Sequence, residues 1–380
     1  MSPPETGLVV REHRELDFLD EDTAWLDRPG FYSSRRWTRS QEGDRGFDTR
    51  YLTSHDRESG RLLGLVPYHR LSGGDSNPLY NEATVLAGAS GVQVLAGSRT
   101  GYDNRILLHP DCTPSERAAM LAAFTERLLE RAREAGAGHV TWWYLPVEDT
   151  QELVRLTGYA TATTPCLPSA VIELKGGLFD EHVAGLTASR RSLVRRDLRR
   201  LSAAGYRSRT IPAELDTIER YAPLVVQVQV RHGEDLSHEG AVRYLRRCLS
   251  FGLGRDAIVT EVLDARDQLV AFSLGIVDGG TLHLRVFGCD YASGHGRSGE
   301  YFEATVYGPM RHALSRGLGA VHLGVTSYRA KSLRGARLRE RRVVVVAPSS
   351  RELPALGADW GFLGDDERFL GGRPPEVAPC

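Results

Sequence analysis

The chain has 380 residues, enough for about two domains. With 41% apolar and 26% charged residues it has the composition of a soluble globular protein, and no apolar run approaches the roughly 18 residues of a membrane span. The net charge of −1 excludes a generally basic nucleic-acid binder but leaves room for a local basic patch.

The N-terminus, "MSPPETGLVVREHREL", lacks the basic start and apolar stretch of a secretory signal, so a cytoplasmic location is expected. Neither DNA nor a membrane is an expected partner, and the oligomeric state is not legible. Five scattered cysteines (Cys112, Cys166, Cys248, Cys289 and Cys380) form no C-x-x-C pair. No disulfide framework or metal site is indicated, and each is expected to act as a small buried apolar residue.

In chain order, "FYSSRRWTRS" is a short aromatic segment, and "TRYLTSH" with "GRLLGLVPYH" forms a hairpin turned by "DRESG". Residues 72–104 are rich in Gly, Ser and Asn and read as loops around "ATVLAG" and "VQVLAGS". The clearest helix comes next, with Thr113 at the cap, Pro114 in the first turn, Gly136 at the end and a stripe of Leu121, Phe124 and Leu128. "HVTWWYLP" reads as a buried strand and "DTQELVRLTG" as a shorter helix.

"TATTPCLPSAVIEL" reads as a crossover into a second half. There a basic helix, "SRRSLVRRDLRRLSAAG", precedes the strand "YRSRTIP" and two further helices. "DAIVTEVLDA", "QLVAFSLGIVDG" and "TLHLRVFGCDY" form a three-stranded meander. A glycine loop, "DYASGHGRSGE", leads into the helix "EYFEATVYGPMRHALSRG", in which Pro309 is expected to cause a kink or a stop. The strands "AVHLGV" and "RRVVVV" close the pattern, and residues 348–380, rich in Pro and Gly, are expected to trail over the surface.

Gly294, Gly296 and Gly299 form a literal G-x-G-x-x-G, yet a dinucleotide fingerprint should open its domain and be followed by a ribose-binding acid. Here it comes after an antiparallel meander, and no carboxylate lies in "SRGLGAVHLG" some twenty residues on. Meander, glycine loop, helix and parallel strand together resemble the GNAT acyltransferases. "YFEATVYGPMRHALSRGLGAVHLG" with "KSLRG", and "FYSSRRW", "GLVPYH", "GYDNRILLHP" and the basic helix earlier, resemble the tandem subgroup related to the Fem peptidyltransferases. The likeness spans about residues 30–345.

The resemblance implies an α/β fold of two tandem GNAT-like domains with mixed, mostly antiparallel sheets flanked by helices. The expected division is 1–165, 166–347 with the donor site, and a tail at 348–380. It implies an acyltransferase with no tightly bound cofactor, the acyl donor being a co-substrate. The loop departs from the usual R/Q-x-x-G-x-G/A, because Arg297 follows two of the glycines. That departure, the doubled domain and the basic helix favour aminoacyl-tRNA, with tRNA as a partner. Acyl-CoA is the alternative donor, and an inactive GNAT-like binding protein is the alternative of a different class. The acceptor is an amine of a small molecule from specialised metabolism or of a cell-wall precursor.

Aminolysis of an ester or thioester needs proton transfer and an oxyanion donor, so acids and tyrosines beside the loop are candidates. Glu300, Glu303 and Tyr307 fall on one helical face at i, i+3 and i+7, and Asp290 stands at the end of the meander. Gly294, Gly296, Arg297 and Gly299 are expected to cradle the donor's phosphate. Lys331 and Arg334, in "YRAKSLRG", are implied by the resemblance to meet a phosphate or the acceptor. Lys331 is one of two lysines among 48 Lys and Arg residues, the other being Lys175. Arg191, Arg195 and Arg199 share a face of the basic helix, fit to track a phosphate backbone or to pair with acids such as Asp197. Tyr291, Arg99, Tyr102 and Asp103 are the acceptor-side candidates.

Overall fold

The computed structural model describes residues 7–17, 21–27, 30–43, 47–73, 77–87 and 91–357, with the backbone of 376–378. It divides into two compact units, residues 1–168 with 340–380, and residues 169–339.

In the first unit, β1 (Leu8–His13) is followed by α1 (Arg35–Arg39) and the long antiparallel pair β2 (Phe47–Asp56) and β3 (Leu62–Ser72). After β4 (Val92–Ala96) and β5 (Leu107–Leu108) comes α2 (Pro114–Ala135). Its start is fixed locally: Thr113 Oγ1 accepts from the Glu116 amide, and the Glu116 carboxylate accepts from the Thr113 amide at 2.7 Å. Gly136 ends it at φ +83°. Leu121, Phe124 and Leu128 then pack with Trp142 and Leu63 in the unit's core. β6 (Val140–Leu145), α3 (Val147–Leu156) and β7 (Ala160–Pro165) complete this half.

The second unit begins with β8 (Ser169–Glu173), α4 (Phe179–Ala184), the basic α5 (Ala188–Ala203) and β9 (Arg207–Pro212). Helices α6 (Ala222–Arg231) and α7 (His238–Cys248) lead to the meander β10 (Ala257–Leu263), β11 (Leu269–Asp278) and β12 (Thr281–Cys289). The glycine loop then enters α8 (Glu300–Phe302), a π-helical turn (Glu303–Tyr307) and α9 (Gly308–Ser315). β13 (Ala320–His322), α10 (Tyr328–Ser332) and β14 (Arg337–Arg339) come last. The strand order is β14-β8-β13-β12-β11-β10-β9, with β13 parallel to β12. The meander-loop-helix-parallel-strand plan expected from sequence is therefore present, in two mixed sheets flanked by helices.

β15 (Arg342–Ala347) departs from the expected division. It lies between β6 and β7 in the first unit's sheet rather than closing the second domain at 347. Val343 to Val346 are all fully buried, and an apolar run without alternation needs a central position with both faces covered. The sequence displays that requirement but not which sheet meets it.

The segment from 348 does not simply trail either. Gly357 donates to Val85 and Ala87 to Ala355, while β16 (Glu376–Ala378) pairs with β7. Residues 358–375 and 379–380 lie outside the described residues.

Pro309 does not stop its helix. It sits in the first turn of α9, directly after the π turn, where Gly308 N–H bonds to the Glu303 carbonyl five residues back. Widening the register there accommodates a ring that would otherwise clash with the preceding turn. Gly308 is required at this point, since a Cβ would come within 2.5 Å of the Thr260 side chain on β10. Cys112, Cys166, Cys248 and Cys289 are buried, and Cys380 lies outside the described residues. No helix among the described residues is long and apolar enough to cross a membrane.

Candidate active site

A cavity of about 230 Å³ in the second unit is lined by Asp197 and Arg200 of α5, by Gly296, Arg297, Ser298 and Gly299 of the loop, and by Tyr301 and Phe302. The three loop glycines all adopt left-handed φ, at +84°, +91° and +105°. At Gly296 the requirement is also steric, because a Cβ would stand 2.4 Å from the Tyr291 ring.

The loop's backbone is not an open cradle. The amide of Gly296 donates to Glu300 at 3.0 Å and that of Ser298 at 2.8 Å. Those of Gly294 and His295 bond to loop carbonyls, that of Tyr291 to the Cys289 carbonyl of β12, that of Ser293 to Asp290 Oδ1, and that of Ala292 to Gln227 Oε1. Glu300 is 1% exposed and also receives the Tyr206 hydroxyl, which contacts His295 at 2.6 Å. Burial alone pushes the Glu300 carboxyl upward. The backbone donors, led by its own amide and that of Gly296, outweigh this and hold it below the usual carboxylate range. Asp290 is also held low, its partial burial outweighed by its bonds from Ser293. Both acids accept from the loop's own amides.

Glu300, Glu303 and Tyr307 do not share a face. The extra residue in the π turn rotates the remainder of the helix, so each side chain finds a different partner. The Glu303 carboxylate accepts from Ser208 Oγ on β9 at 2.5 Å and pairs with Arg311. Tyr307, 1% exposed, donates to Asp197 Oδ2 at 2.7 Å and accepts from Arg334 Nε at 2.9 Å. Burial drives its phenol far above the usual range, so it stays a neutral donor. None of the three lines the cavity.

Arg334 completes a buried knot. Its Nη2 meets Asp197 Oδ2 at 2.5 Å, with both side chains under 10% exposed, and its guanidinium lies 3.0 Å from the Phe302 ring centroid. Asp197 thus pairs with Arg334 and Tyr307, not with its neighbours on α5. Lys331 is buried as well, and its Nζ donates to the Val325 carbonyl at 2.7 Å instead of reaching solvent. Both residues, expected to meet a phosphate or the acceptor, bond here to groups of the chain itself, Lys331 to the Val325 carbonyl and Arg334 to Asp197 and the Ala330 carbonyl.

Arg191 belongs to a different class from Arg195 and Arg199. Its Nη1 closes on the carbonyls of Ala184 and Leu186, tying α5 to the end of α4. Arg195, Arg196, Arg199 and Arg200 are exposed, and among the described residues no carboxylate neutralises them. Val194, Asp197 and Leu201 form the buried side of α5, so these four cations lie on its free side and Arg200 reaches the cavity.

The acceptor-side candidates fall in both units. Tyr291 is covered by the Arg231 guanidinium, 4.3 Å from its ring centroid. In the first unit, Arg99 lies over Phe47, and Tyr102 joins a cluster with Tyr32, Tyr80 and Tyr144. Asp103 is paired with Arg341 at 2.7 Å.

Sequence reading missed a slot in the second sheet. β13 pairs with β12 only from Thr281↔Ala320 to His283↔His322. Beyond that point no strand among the described residues covers this edge of residues 284–289, although β11 covers the other. A bulge at Leu274/Gly275 skips Arg285 in the register beside the opening. The opposite wall turns through Thr326 at φ +63° and Ser327 at φ +50°, two successive strained residues. Its floor is the His283–His322 pair, with ring centroids 5.4 Å apart. No fixed spacing announces such a slot, since its walls lie about forty residues apart in the chain.

Burial lowers His283 to about 3, so it is neutral when folded and protonated below about 6.5 when unfolded. The unfolded state therefore binds the extra proton, and stability present above that value is lost as pH falls toward 3. Denaturant titrations at pH 7 and pH 5 are expected to show this loss, at no more than about 1.4 kcal/mol per pH unit. His283→Gln should flatten the dependence.

Residues 188–332 match the acetyltransferase (GNAT) domain family. The structure of FemX has TM-score 0.56 to this chain at 11% identity, over 84% of this chain and 94% of that one. A tandem GNAT protein from the clavulanic acid biosynthesis pathway has TM-score 0.51 at 15% identity, over 92% and 99%. No curated protein matches the sequence. The second unit therefore carries a GNAT domain, and the chain shares its fold with FemX and with a tandem GNAT protein.

Proposed function

We propose that the protein transfers an aminoacyl group from aminoacyl-tRNA to an amine of a small-molecule acceptor, in specialised metabolism or cell-wall assembly. The observation that carries this reading is the exposed, unneutralised row Arg195, Arg196, Arg199 and Arg200, which runs into a cavity with Arg297 and Tyr301 on its far side. Such a row suits a polyphosphate chain, and a neighbouring aromatic ring suits an unstacked base. The Gly296 and Ser298 amides, already bonded to Glu300, weigh in the same direction, because a pyrophosphate would compete for them.

In this reading the acyl carbonyl enters the slot beside β12, whose open edge supplies backbone donors to the developing oxyanion. The amine attacks the ester carbon, a C–N bond forms, the C–O bond breaks, and the amine's proton passes to the departing ribose hydroxyl. Glu303 is held away by Ser208 and Arg311, so its role is to brace the helix. Glu303→Gln is expected to change turnover far less than the roughly 10²-fold loss of a general base, while lowering the melting temperature. A larger kinetic loss with the melting point intact would return it to the chemistry.

The second reading, acyl-CoA-dependent N-acylation, is favoured by the match to an acetyltransferase domain. Mass spectrometry of candidate amines incubated with charged tRNA or acyl-CoA separates the two. Under the tRNA reading, ribonuclease abolishes product; product that survives the treatment supports acyl-CoA.

A further inference from the structure

The glycine loop has the composition of an anion cradle, and three left-handed glycines shape it. Its centre nevertheless already holds an anion. Glu300 Oε1 takes the Gly296 amide at 3.0 Å and Oε2 takes the Ser298 amide at 2.8 Å, so each carboxylate oxygen holds one amide of a cavity-lining loop residue. The Tyr206 hydroxyl adds a side-chain donor to the same carboxylate.

The amides of Ser293, Gly294 and His295 are bonded within the loop, that of Ala292 to Gln227 and that of Tyr291 to the Cys289 carbonyl of β12. Arg297, the loop's own cation, is exposed and lines the cavity. A phosphoanhydride entering here would have to displace a buried carboxylate from its donors and face its charge at close range, where opposition between like charges is strong.

We infer that Glu300 is a specificity-determining residue that closes this loop to donors carrying a pyrophosphate, by standing where the pyrophosphate would bind. The inference rests on the aminoacyl-tRNA reading and sharpens it: the donor is selected by exclusion at the loop as well as by attraction along α5. The carboxylate is supplied by the chain itself, at the first residue of α8, and so is always present. Rejection by an unfavourable charge is a general means of discriminating between ligands that share other groups.

The test uses the full chain and its Glu300→Gln and Glu300→Ala variants, titrated calorimetrically with coenzyme A and separately with inorganic pyrophosphate. The native protein is expected to give no saturable binding of either at millimolar concentration. Glu300→Gln removes the charge while keeping an acceptor for one amide, and is expected to bind coenzyme A at least about tenfold more tightly, a change of about 1.4 kcal/mol. Glu300→Ala frees both amides and should gain more. If Glu300→Ala fails to fold, Glu300→Gln, with its melting temperature measured alongside, decides the matter.

Equal affinity of the native and Glu300→Gln proteins for coenzyme A overturns the inference. So does the absence of any gain in a Glu300→Gln protein that remains folded. Gel-shift titration with charged tRNA judges the donor reading separately. Failure of the native protein to bind tRNA removes that reading, whereas the coenzyme A comparison still judges Glu300.

Discussion

Replacing Asp197 with Ala is expected to lower the unfolding free energy by about 3–5 kcal/mol, the cost of leaving a buried charge without its partner. The stranded group is the Arg334 guanidinium, 4% exposed and pressed on the Phe302 ring, and the Tyr307 hydroxyl loses its acceptor at the same time. Asp197 joins α5 to the π turn and to the segment after α10, so its loss loosens three elements that frame the cavity. Denaturant titration followed by circular dichroism measures the effect. The double variant Asp197→Leu with Arg334→Met removes both charges, and should recover most of the loss because an apolar pair of similar volume needs no desolvation. A loss below about 1 kcal/mol for Asp197→Ala would place the pair among ordinary surface ion pairs.

Replacing Arg195, Arg196, Arg199 and Arg200 together with Ala is expected to leave the fold intact and to weaken tRNA binding strongly. These side chains are exposed and have no ion pair among the described residues to lose. Each phosphate contact contributes about 0.7–0.9 to the slope of log affinity against log salt, so four lost contacts should flatten that slope by about 3. Filter-binding across roughly 50–200 mM salt reads both the affinity and the slope. Arg191→Ala serves as the contrast. Its guanidinium is committed to the Ala184 and Leu186 carbonyls, so it should lower the melting temperature and leave the slope unchanged. An unaltered slope in the quadruple variant would remove α5 from the donor site.

The local elements were legible in the sequence because their causes are local. Thr113, Glu116, Pro114 and Gly136 bound α2 through contacts a few residues apart, and the apolar runs of β10, β11 and β12, each closed by a turn, mark the meander. The glycine loop could be located for the same reason, and its three positive-φ positions are glycines as such backbone demands. The chain's membership of a tandem GNAT-like fold rests on the order of these local units.

What the loop's amides face, and what each charged side chain meets, was decided only by tertiary structure. Asp197 finds Tyr307 across 110 positions of sequence and Arg334 across 137, so no spacing rule on α5 predicts that this one acid turns inward while four arginines turn out. The π turn rephases the helix and separates Glu300, Glu303 and Tyr307, which the regular 3.6-residue period places together. Lys331 stands out by its rarity in the sequence, yet its ammonium closes on a carbonyl six residues back. β15 carries valines that demand burial on both faces, and either sheet would satisfy such a demand until the whole chain is folded. The sequence determined the need for burial, a cap or a left-handed turn at each place. The fold determined which distant group answers it, because pairing energies depend on proximity in space and the sequence records only proximity along the chain.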